Sequence, residues 1–290
     1  MLTALVKLSR PAHWPKNVFV LAPLVFAHLL HVPSALARTL VAFVCFCIAS
    51  SIVYVFNDYR DRELDRRHPI KMRRPLAAGT IAPAVALGFA TLLLVGLILA
   101  ASWLGGKFLA VVLIYLGLNA LYSLGLKRVV ILDVMIVSLG FVLRVLGGGV
   151  AIDVEISAWL LLCTIFLALF LAFSKRRHEL VLLAEEARIQ RDVLTHYSAS
   201  FLDQMINVVT ASTVVSYALY SAAPETIERF QTGMLVYTIP FVLFGVFRYL
   251  YLMYQAPEQI NPTEAVIKDL PSLLNIALWG CSVLGIVYLQ

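Results

Sequence analysis

The chain has 290 residues, of which 61% are hydrophobic and only 14% are charged, and its mean hydropathy is +0.88. These values exclude an ordinary soluble domain and predict an all-α, multi-pass membrane protein. The formal net charge of +6 is spread over short basic segments between apolar runs. That pattern argues against nucleic acid as a partner and for the bilayer itself.

Nine apolar runs follow one another, each close to the length that a helix needs to cross a bilayer. They lie near 17–31, 35–56, 81–102, 108–124, 130–150, 158–173, 203–222, 233–254 and 271–289. Neither a linker nor a low-complexity tract separates them. The sequence therefore predicts one transmembrane domain over 1–290, with polar catalytic loops at 57–80, 122–133 and 174–200.

The connecting segments differ sharply in charge between the two sides of the membrane. With nine spans, eighteen lysines and arginines fall on one side, and only Arg38, Lys107 and Arg229 fall on the other. The positive-inside rule places the basic side in the cytoplasm. We therefore expect a cytoplasmic N-terminus, cytoplasmic polar loops and a C-terminus on the outside.

The segment that leads into the first run carries Arg10, Trp14, Lys16 and Asn17 around two prolines, Pro11 and Pro15. Prolines oppose a regular helix until just before the first span. Trp14 is typical of an interface anchor, and the cations are typical of a membrane flank. The spacing of these residues alone is a weak signal of function.

The end of the second run is unusually polar, because Asn57–Asp65 contains four acids and two arginines. If the helix continues, Asp58, Asp61 and Asp65 share one face and Glu63 points away. Three stacked carboxylates repel one another unless a cation lies between them, and hard oxygen ligands suit Mg²⁺. The alternative is a solvated helix end with ordinary Asp–Arg pairs.

Other charges flank or interrupt the later runs. Gly125 can end the fourth span and leave Lys127 on a turn that faces the acidic helix. Asp133 and Arg144 are eleven residues apart on the fifth span. That separation places both on nearly the same face of the helix, about 16 Å apart along its axis. Charges at such depth typically face a cavity or the bundle interior.

The sixth run is followed by Lys175-Arg176-Arg177-His178-Glu179 and a loop of about 25 residues. Leu180, Leu183, Ala187 and Val193 recur at helical spacing in that loop and predict an amphipathic surface helix. Consecutive cations near an acidic cluster are typical phosphate ligands. The alternative is positive-inside bias, with Lys175 and Glu179 forming an i,i+4 pair.

Together these features resemble the UbiA superfamily of intramembrane prenyltransferases over nearly the whole chain. The resemblance rests on Asn57-Asp58-x-x-Asp61-x-x-x-Asp65, on Tyr122 with Lys127, and on the nine predicted spans. Most members carry a second Asp-rich motif after span six, and here that position is cationic. The loss argues against ordinary prenyl diphosphate chemistry, which uses both acidic motifs.

Within the superfamily, the chain resembles the branch of decaprenyl-phosphate phosphoribosyltransferases in a bacterial plasma (inner) membrane, which serve cell-wall arabinan synthesis. The resemblance implies phosphoribosyl pyrophosphate as the donor and a polyprenyl phosphate as the acceptor. It implies Mg²⁺ held by Asp58, Asp61 and Asp65, with these residues and Lys175 as the catalytic set. Substrate binding is implied for Lys16, Asn17, Asn57, Arg66, Lys71, Arg74, Tyr122, Lys127, Asp133, Arg144, Arg176 and Glu179.

The implied reaction is glycosyl transfer at the anomeric carbon, in which the lipid phosphate attacks as the Mg²⁺-bound diphosphate leaves. A phosphate is already an anionic nucleophile, so no strong general base is required. Two alternatives stay open, namely a prenyltransferase with an aromatic or other acceptor, and a transporter. Against a transporter, the sequence shows neither the internal repeat nor the broken helices that are expected of that class. A homo-oligomer is also left open.

Overall fold

The computed structural model describes residues 1–68, 71–182, 192–255 and 262–288. All regular secondary structure in these ranges is helical, which confirms the predicted all-α class. The α-helices are α1 (Leu2–Ser9), α2 (Ala22–Phe26), α3 (Pro33–Asp65), α4 (Pro83–Leu104), α5 (Gly106–Leu124), α6 (Leu132–Ala151), α7 (Ala158–Leu182), α8 (Ala199–Ala222), α9 (Pro224–Phe230), α10 (Ile239–Gln255), α11 (Pro262–Lys268) and α12 (Leu270–Tyr288). Short 3₁₀ helices cover Pro11–Leu21, Lys71–Arg73, Leu126–Arg128, Asp192–His196 and Met234–Thr238.

The chain divides into two compact units. The first contains Met1–Lys127 and Gly140–Ile156, and the second contains Arg128–Leu139 and Ser157–Gln290. The single domain over 1–290 stays a prediction.

Eight helices in the described ranges are long and apolar enough to cross a membrane, which makes the chain an integral multi-pass membrane protein. The first predicted run, 17–31, does not form one of these eight helices. It lies mostly in the N-terminal arm, which is the 3₁₀ helix Pro11–Leu21 followed by the five-residue α2. The arm cannot be a regular α-helix, because Pro15 and Pro23 lack the amide hydrogen that the helix interior requires.

The N-terminal arm nevertheless runs along α3 in the opposite direction. Arg10, just before the arm, pairs with Asp58 near the end of α3. Trp14 Nε1 donates to Ser51 Oγ at 3.2 Å, and Asn17 Nδ2 donates to Cys47 Sγ at 3.3 Å. At about 2.0 Å per 3₁₀ residue and 1.5 Å per α residue, the arm covers roughly 30 Å, the thickness of the hydrocarbon core. The nine predicted spans are therefore approximated by eight regular helices and this arm.

The first unit packs closely where α6 carries consecutive glycines. A Cβ added at Gly148 would lie 2.1 Å from the backbone oxygen of Val20 in the arm, and one added at Gly147 would lie 2.5 Å from the Phe46 ring. Phe46 in turn meets the ring of Phe108 edge-on, with the centroids 6.1 Å apart. Only residues without a side chain allow α6 to approach the arm and α3 this closely.

Helix α7 continues past its predicted end at residue 173 and reaches Leu182, so the predicted loop at 174–200 begins as helix. Within this extension Arg176 and Lys175 pair with Glu179 at 2.8 and 3.9 Å, and these pairs support the helix. Much of the amphipathic helix predicted here, including Leu183 and Ala187, lies outside the described residues.

The second unit is built around α7 and α8. Phe170 of α7 is buried, and its ring lies 4.9 Å from that of Tyr249 on α10. Leu202 and Ile206 of α8 belong to the same apolar cluster and are fully buried. This core holds the polar end of α7 in place.

Candidate functional site

The polar end of α3 presents what we call the acidic face, formed by Asp58, Asp61 and Asp65. Helix α3 remains regular to Asp65, so these residues share one side as the spacing predicted. The side chains of Asp58 and Asp65 are only 2% and 6% exposed, whereas that of Asp61 is 28% exposed. Glu63 is 64% exposed and instead pairs with Arg66.

Each carboxylate of the acidic face has a cationic partner from the first unit. Arg10 Nη2 donates to Asp58 Oδ1 at 2.5 Å. Arg74 Nη1 donates both to Asp58 Oδ1 at 3.1 Å and to Asp65 Oδ2 at 2.7 Å. Lys127 Nζ lies 3.1 and 3.0 Å from the two oxygens of Asp61. These cations offset the negative charge of carboxylates that would otherwise be costly to bury.

The fit of this face to a metal ion is partial in the described ranges. No three His, Cys, Asp or Glu side chains converge closely enough there to hold a metal. Asp58 and Asp65 do converge on a single cationic group, Nη1 of Arg74. Their position suits a cation between two carboxylates, and a divalent ion would need that guanidinium to move.

The end of α5 is fastened to α3 beside the acidic face. Ser123 Oγ donates to the side-chain oxygen of Asn57, and Arg60 donates to the backbone oxygens of Ser123 and Leu124 at 2.6 and 2.8 Å. These bonds satisfy carbonyl groups that a helix end leaves unpaired. Tyr122 is half-buried in the last helical turn of α5. The turn that follows carries Lys127 to Asp61.

A second polar group of the first unit surrounds Arg144, which is only 8% exposed. Its Nε donates to Asn17 Oδ1 at 2.7 Å, and its Nη2 donates to the hydroxyl of Tyr115 at 2.9 Å. The guanidinium carbon also lies 4.9 Å from the centre of the Tyr115 ring. No carboxylate in the described ranges forms an ion pair with Arg144, so this buried cation is solvated by neutral groups.

The second unit contains a buried network around Asp133, whose side chain is fully inaccessible. Arg176 Nε donates to Asp133 Oδ2 at 2.7 Å, and its Nη1 donates to Glu179 at 2.8 Å. The hydroxyl of Tyr197 donates to Asp133 Oδ1 at 2.7 Å. Burial, together with the neighbouring carboxylate, raises the pKa of Tyr197 far above its usual range, so the phenol keeps its proton.

The neighbours of Arg176 lie in different surroundings. Lys175 is 44% exposed and only 3.9 Å from Glu179. Arg177 Nε donates to Asp203 at 2.5 Å, and the guanidinium carbon of Arg177 lies 4.2 Å from the centre of the Tyr254 ring. Arg176 is thus engaged by carboxylates, and Lys175 is the more accessible member of the cluster.

Several predicted residues lie away from these contacts, and some contributors were missed. Arg66 directs its guanidinium to Glu63 and to the backbone oxygen of Ala77, not to the acidic face. Lys16 is exposed and Lys71 is half-buried. Sequence reasoning missed the pairing of Arg10 with Asp58 and that of Tyr197 with Asp133, because no local spacing connects residues so far apart in the chain.

The sequence matches one family over most of its length. The chain matches the UbiA prenyltransferase family over residues 18–265. It is 37% identical over 240 residues to the decaprenyl-phosphate phosphoribosyltransferase of Mycolicibacterium smegmatis, covering 80% of this chain and 74% of that protein. It is 32% identical over 252 residues to the Mycobacterium tuberculosis protein of the same name, covering 85% and 83%.

The solved structures agree at the level of the fold. A UbiA homologue from Archaeoglobus fulgidus bound to GPP and Mg²⁺ superposes with a TM-score of 0.73 at 18% identity, covering 98% of this chain and 99% of that one. The family match covers most of the chain, and both curated relatives exceed 30% identity. The chain therefore belongs to the UbiA prenyltransferase family.

Proposed function

We propose that this protein transfers the 5-phosphoribosyl group of phosphoribosyl pyrophosphate to a polyprenyl phosphate and releases diphosphate. The observation that carries the proposal is the charge of the α7 end, where Lys175, Arg176 and Arg177 replace a second acidic motif. The names of the two mycobacterial relatives support the same reaction. A donor and an acceptor that both carry phosphate groups suit a segment with cations at this position, of which Lys175 is the most exposed.

The acidic face is proposed to bind the donor diphosphate through a magnesium ion held by Asp58, Asp61 and Asp65. When bound, Mg²⁺ would neutralise charge on the departing diphosphate. Lys127 keeps Asp61 in place and can contact a phosphate oxygen beside it. The Mg²⁺ bound to the Archaeoglobus homologue supports a divalent ion in this family.

The cationic groups are proposed to bind the remaining phosphates. Arg144 is held rigidly by Asn17 and Tyr115, so it offers a preorganised charge at low reorganisation cost. Lys175 is exposed enough to contact a phosphate directly. Arg176 orients this region through Asp133 and is assigned a positioning role. The other proposed substrate ligands are Lys16, Asn57, Arg66, Lys71, Arg74, Tyr122 and Glu179.

The chemistry needs no general base from the chain. The bond between the anomeric carbon and the diphosphate oxygen breaks, and an oxygen of the lipid phosphate forms the new bond to that carbon. The nucleophile is already anionic, so positioning and charge neutralisation supply most of the catalysis. We place the site on the cytoplasmic side of a bacterial plasma membrane, as the distribution of lysines and arginines favours.

The test uses the purified protein with Mg²⁺, labelled phosphoribosyl pyrophosphate and a panel of polyprenyl phosphates of different chain length. We expect a labelled glycolipid that mild acid cleaves, and no product when Mg²⁺ is chelated. A parallel reaction supplies a prenyl diphosphate with 4-hydroxybenzoate. A prenylated aromatic product without any glycolipid would instead establish the alternative prenyltransferase activity.

A further inference from the structure

The acidic face is already neutralised by cations of its own chain. Asp58, Asp61 and Asp65 are matched by Arg10, Arg74 and Lys127. Two of these carboxylates are almost inaccessible to water, so burying them without a cationic partner would be costly. A metal ion that reaches this face must therefore compete with guanidinium groups.

The acids and their arginine partners differ in how firmly they are held. Asp58 and Asp65 are fixed on α3. Arg10 has a left-handed backbone, with a φ of 49°, between α1 and the N-terminal arm, and Arg74 follows the 3₁₀ helix Lys71–Arg73. The side chains of Arg10 and Arg74 are 21% and 28% exposed. The guanidinium of Arg10 also lies over the ring of Tyr54, with 4.8 Å between its central carbon and the ring centre. Arg74 can therefore leave more readily by side-chain rotation while the carboxylates stay in place.

Displacing the arginines without a new anion is unfavourable. Nη1 of Arg74 lies between Asp58 and Asp65, where it takes lone pairs that a metal would use. The three carboxylates and their three cations are formally neutral together. A divalent ion alone would give this group a net charge of about two positive units, and it would leave the displaced guanidinium beside the metal. A diphosphate removes both problems, because its oxygens can ligate the metal and accept a bidentate arginine at once.

We propose that Arg74, assisted by Arg10, couples metal binding to donor binding. In the donor-free protein Arg74 holds Asp58 and Asp65, and it moves onto the donor's diphosphate when the metal takes its place. Because coupling is reciprocal, the donor strengthens metal binding by the same factor as the metal strengthens donor binding. This inference rests on the proposed function, which assigns a metal to the acidic face.

The experiment measures metal binding to the full chain without any donor. Binding of Mn²⁺, used as a paramagnetic substitute for Mg²⁺, is followed by the electron paramagnetic resonance signal of the free ion. The variants are Arg74→Gln and the control Arg73→Gln, which changes the neighbouring exposed arginine. We expect Arg74→Gln to bind Mn²⁺ about tenfold or more tightly than both the wild type and the control, since one charge-assisted competitor is gone.

Thermal unfolding provides a second measurement in case Arg74→Gln is destabilised by its unpaired buried acids. Mn²⁺ should raise the Tm of Arg74→Gln more than that of the wild type, and Arg10→Gln should show the same trend if Arg74→Gln does not fold. Equal or weaker donor-free Mn²⁺ affinity in Arg74→Gln would overturn the inference. So would tight, roughly micromolar binding of Mn²⁺ by the donor-free wild type.

The two proposals fail in different ways. Phosphoribosyl transfer by the wild type together with unchanged metal affinity in Arg74→Gln would refute the coupling and leave the proposed function standing. Failure of the wild type to transfer phosphoribosyl would refute the proposed function, whatever the metal affinities are.

Discussion

Asp58 and Asp133 are buried carboxylates on membrane helices, and each accepts a hydrogen bond from an arginine far away in the sequence. An unpaired charge in such a place is strongly destabilising. Asp61 differs from both, because its side chain is more than a quarter exposed and pairs with Lys127. Substitutions at these residues should therefore separate effects on stability from effects on activity.

We expect Asp61→Asn to remove most phosphoribosyl transfer while the Tm barely changes. The substitution deletes a proposed metal ligand, yet the lost ion pair with Lys127 is partly exposed and is worth about 1 kcal/mol or less. Initial rates and thermal unfolding of the purified variant check this. Glu63→Gln is the matched control, since Glu63 lies on the same helix and points away. Full turnover by Asp61→Asn at ordinary Mg²⁺ would contradict the assignment of the metal.

Lys175→Glu is expected to raise the apparent KM for the donor or the lipid by more than about tenfold. The change removes a charge-assisted bond worth about 1.5 to 3 kcal/mol and adds a repulsion. Steady-state kinetics with each substrate varied in turn measure the effect. Lys268→Glu, at the end of α11, provides a control for the change of net charge. Unaltered kinetics in Lys175→Glu would reduce the cluster to a signal of membrane topology.

Arg176→Met should act mainly on stability. Its side chain is 5% exposed, and its loss leaves Asp133 buried without its cationic partner, at a cost of about 3 to 5 kcal/mol. Thermal unfolding in detergent or nanodiscs reports the loss. Arg177→Met should cost less, because its partner Asp203 is 34% exposed. A Tm for Arg176→Met equal to that of the wild type would show that Asp133 finds another partner.

At the scale of the helices, close approach depends on where side chains are missing. Gly148 of α6 faces the backbone of Val20, which cannot move aside as a flexible side chain could. Gly96 of α4 has open space where a Cβ would be placed. The two glycines thus offer opposite surroundings on two membrane helices.

We predict that Gly148→Ala destabilises the protein by several kcal/mol, since a methyl group would lie far inside the contact distance of a carbonyl oxygen. Gly96→Ala should be neutral or stabilising by up to about 1 kcal/mol, because alanine is the better helix former. Thermal unfolding of both variants in the same detergent compares them. A Gly148→Ala protein as stable as Gly96→Ala would mean that the arm can shift away from α6.

The helices show how far sequence periodicity reaches. Apolar run length was sufficient to locate α3 to α6, and the i, i+3, i+7 spacing correctly placed Asp58, Asp61 and Asp65 on one face. It failed at the N-terminal arm, because prolines there interrupt a regular α-helix and hydropathy does not register them. It also ended α7 too early, because hydropathy falls at Lys175 while ion pairs continue the helix. Partners such as Arg10 and Tyr197 depend on tertiary packing and leave no local pattern.

At the scale of the whole molecule, the N-terminal arm determines whether the chain crosses the membrane an odd or an even number of times. The eight membrane-length helices of the described ranges would alone return both termini to the same side. If the arm also crosses, as the nine predicted spans require, the termini lie on opposite sides. The distribution of basic residues favours a cytoplasmic N-terminus, so the C-terminus should lie outside.

Reporter fusions test this orientation in a bacterial host. Alkaline phosphatase fused after Gln290 should be active, since it folds only outside the cytoplasm. The same enzyme fused after Arg128, in a turn expected to be cytoplasmic, should be inactive and serves as the matched control. Green fluorescent protein at these two positions should give the reverse result. Activity of the phosphatase after Arg128 but not after Gln290 would invert the assigned topology.

The pairing of the N-terminal arm with α3 also determines how a nascent chain can enter the membrane. Asn17 is completely buried, and its amide bonds to Cys47 of α3 and to Arg144 of α6. In lipid alone, that amide would lack its partners, and the 3₁₀ backbone would be held only by internal hydrogen bonds of poorer geometry than those of an α-helix. The arm is therefore a poor substrate for the insertion machinery until α3 has left the ribosome. The two segments should integrate together as a hairpin, and a chain stalled before α3 is complete should remain extractable from the membrane.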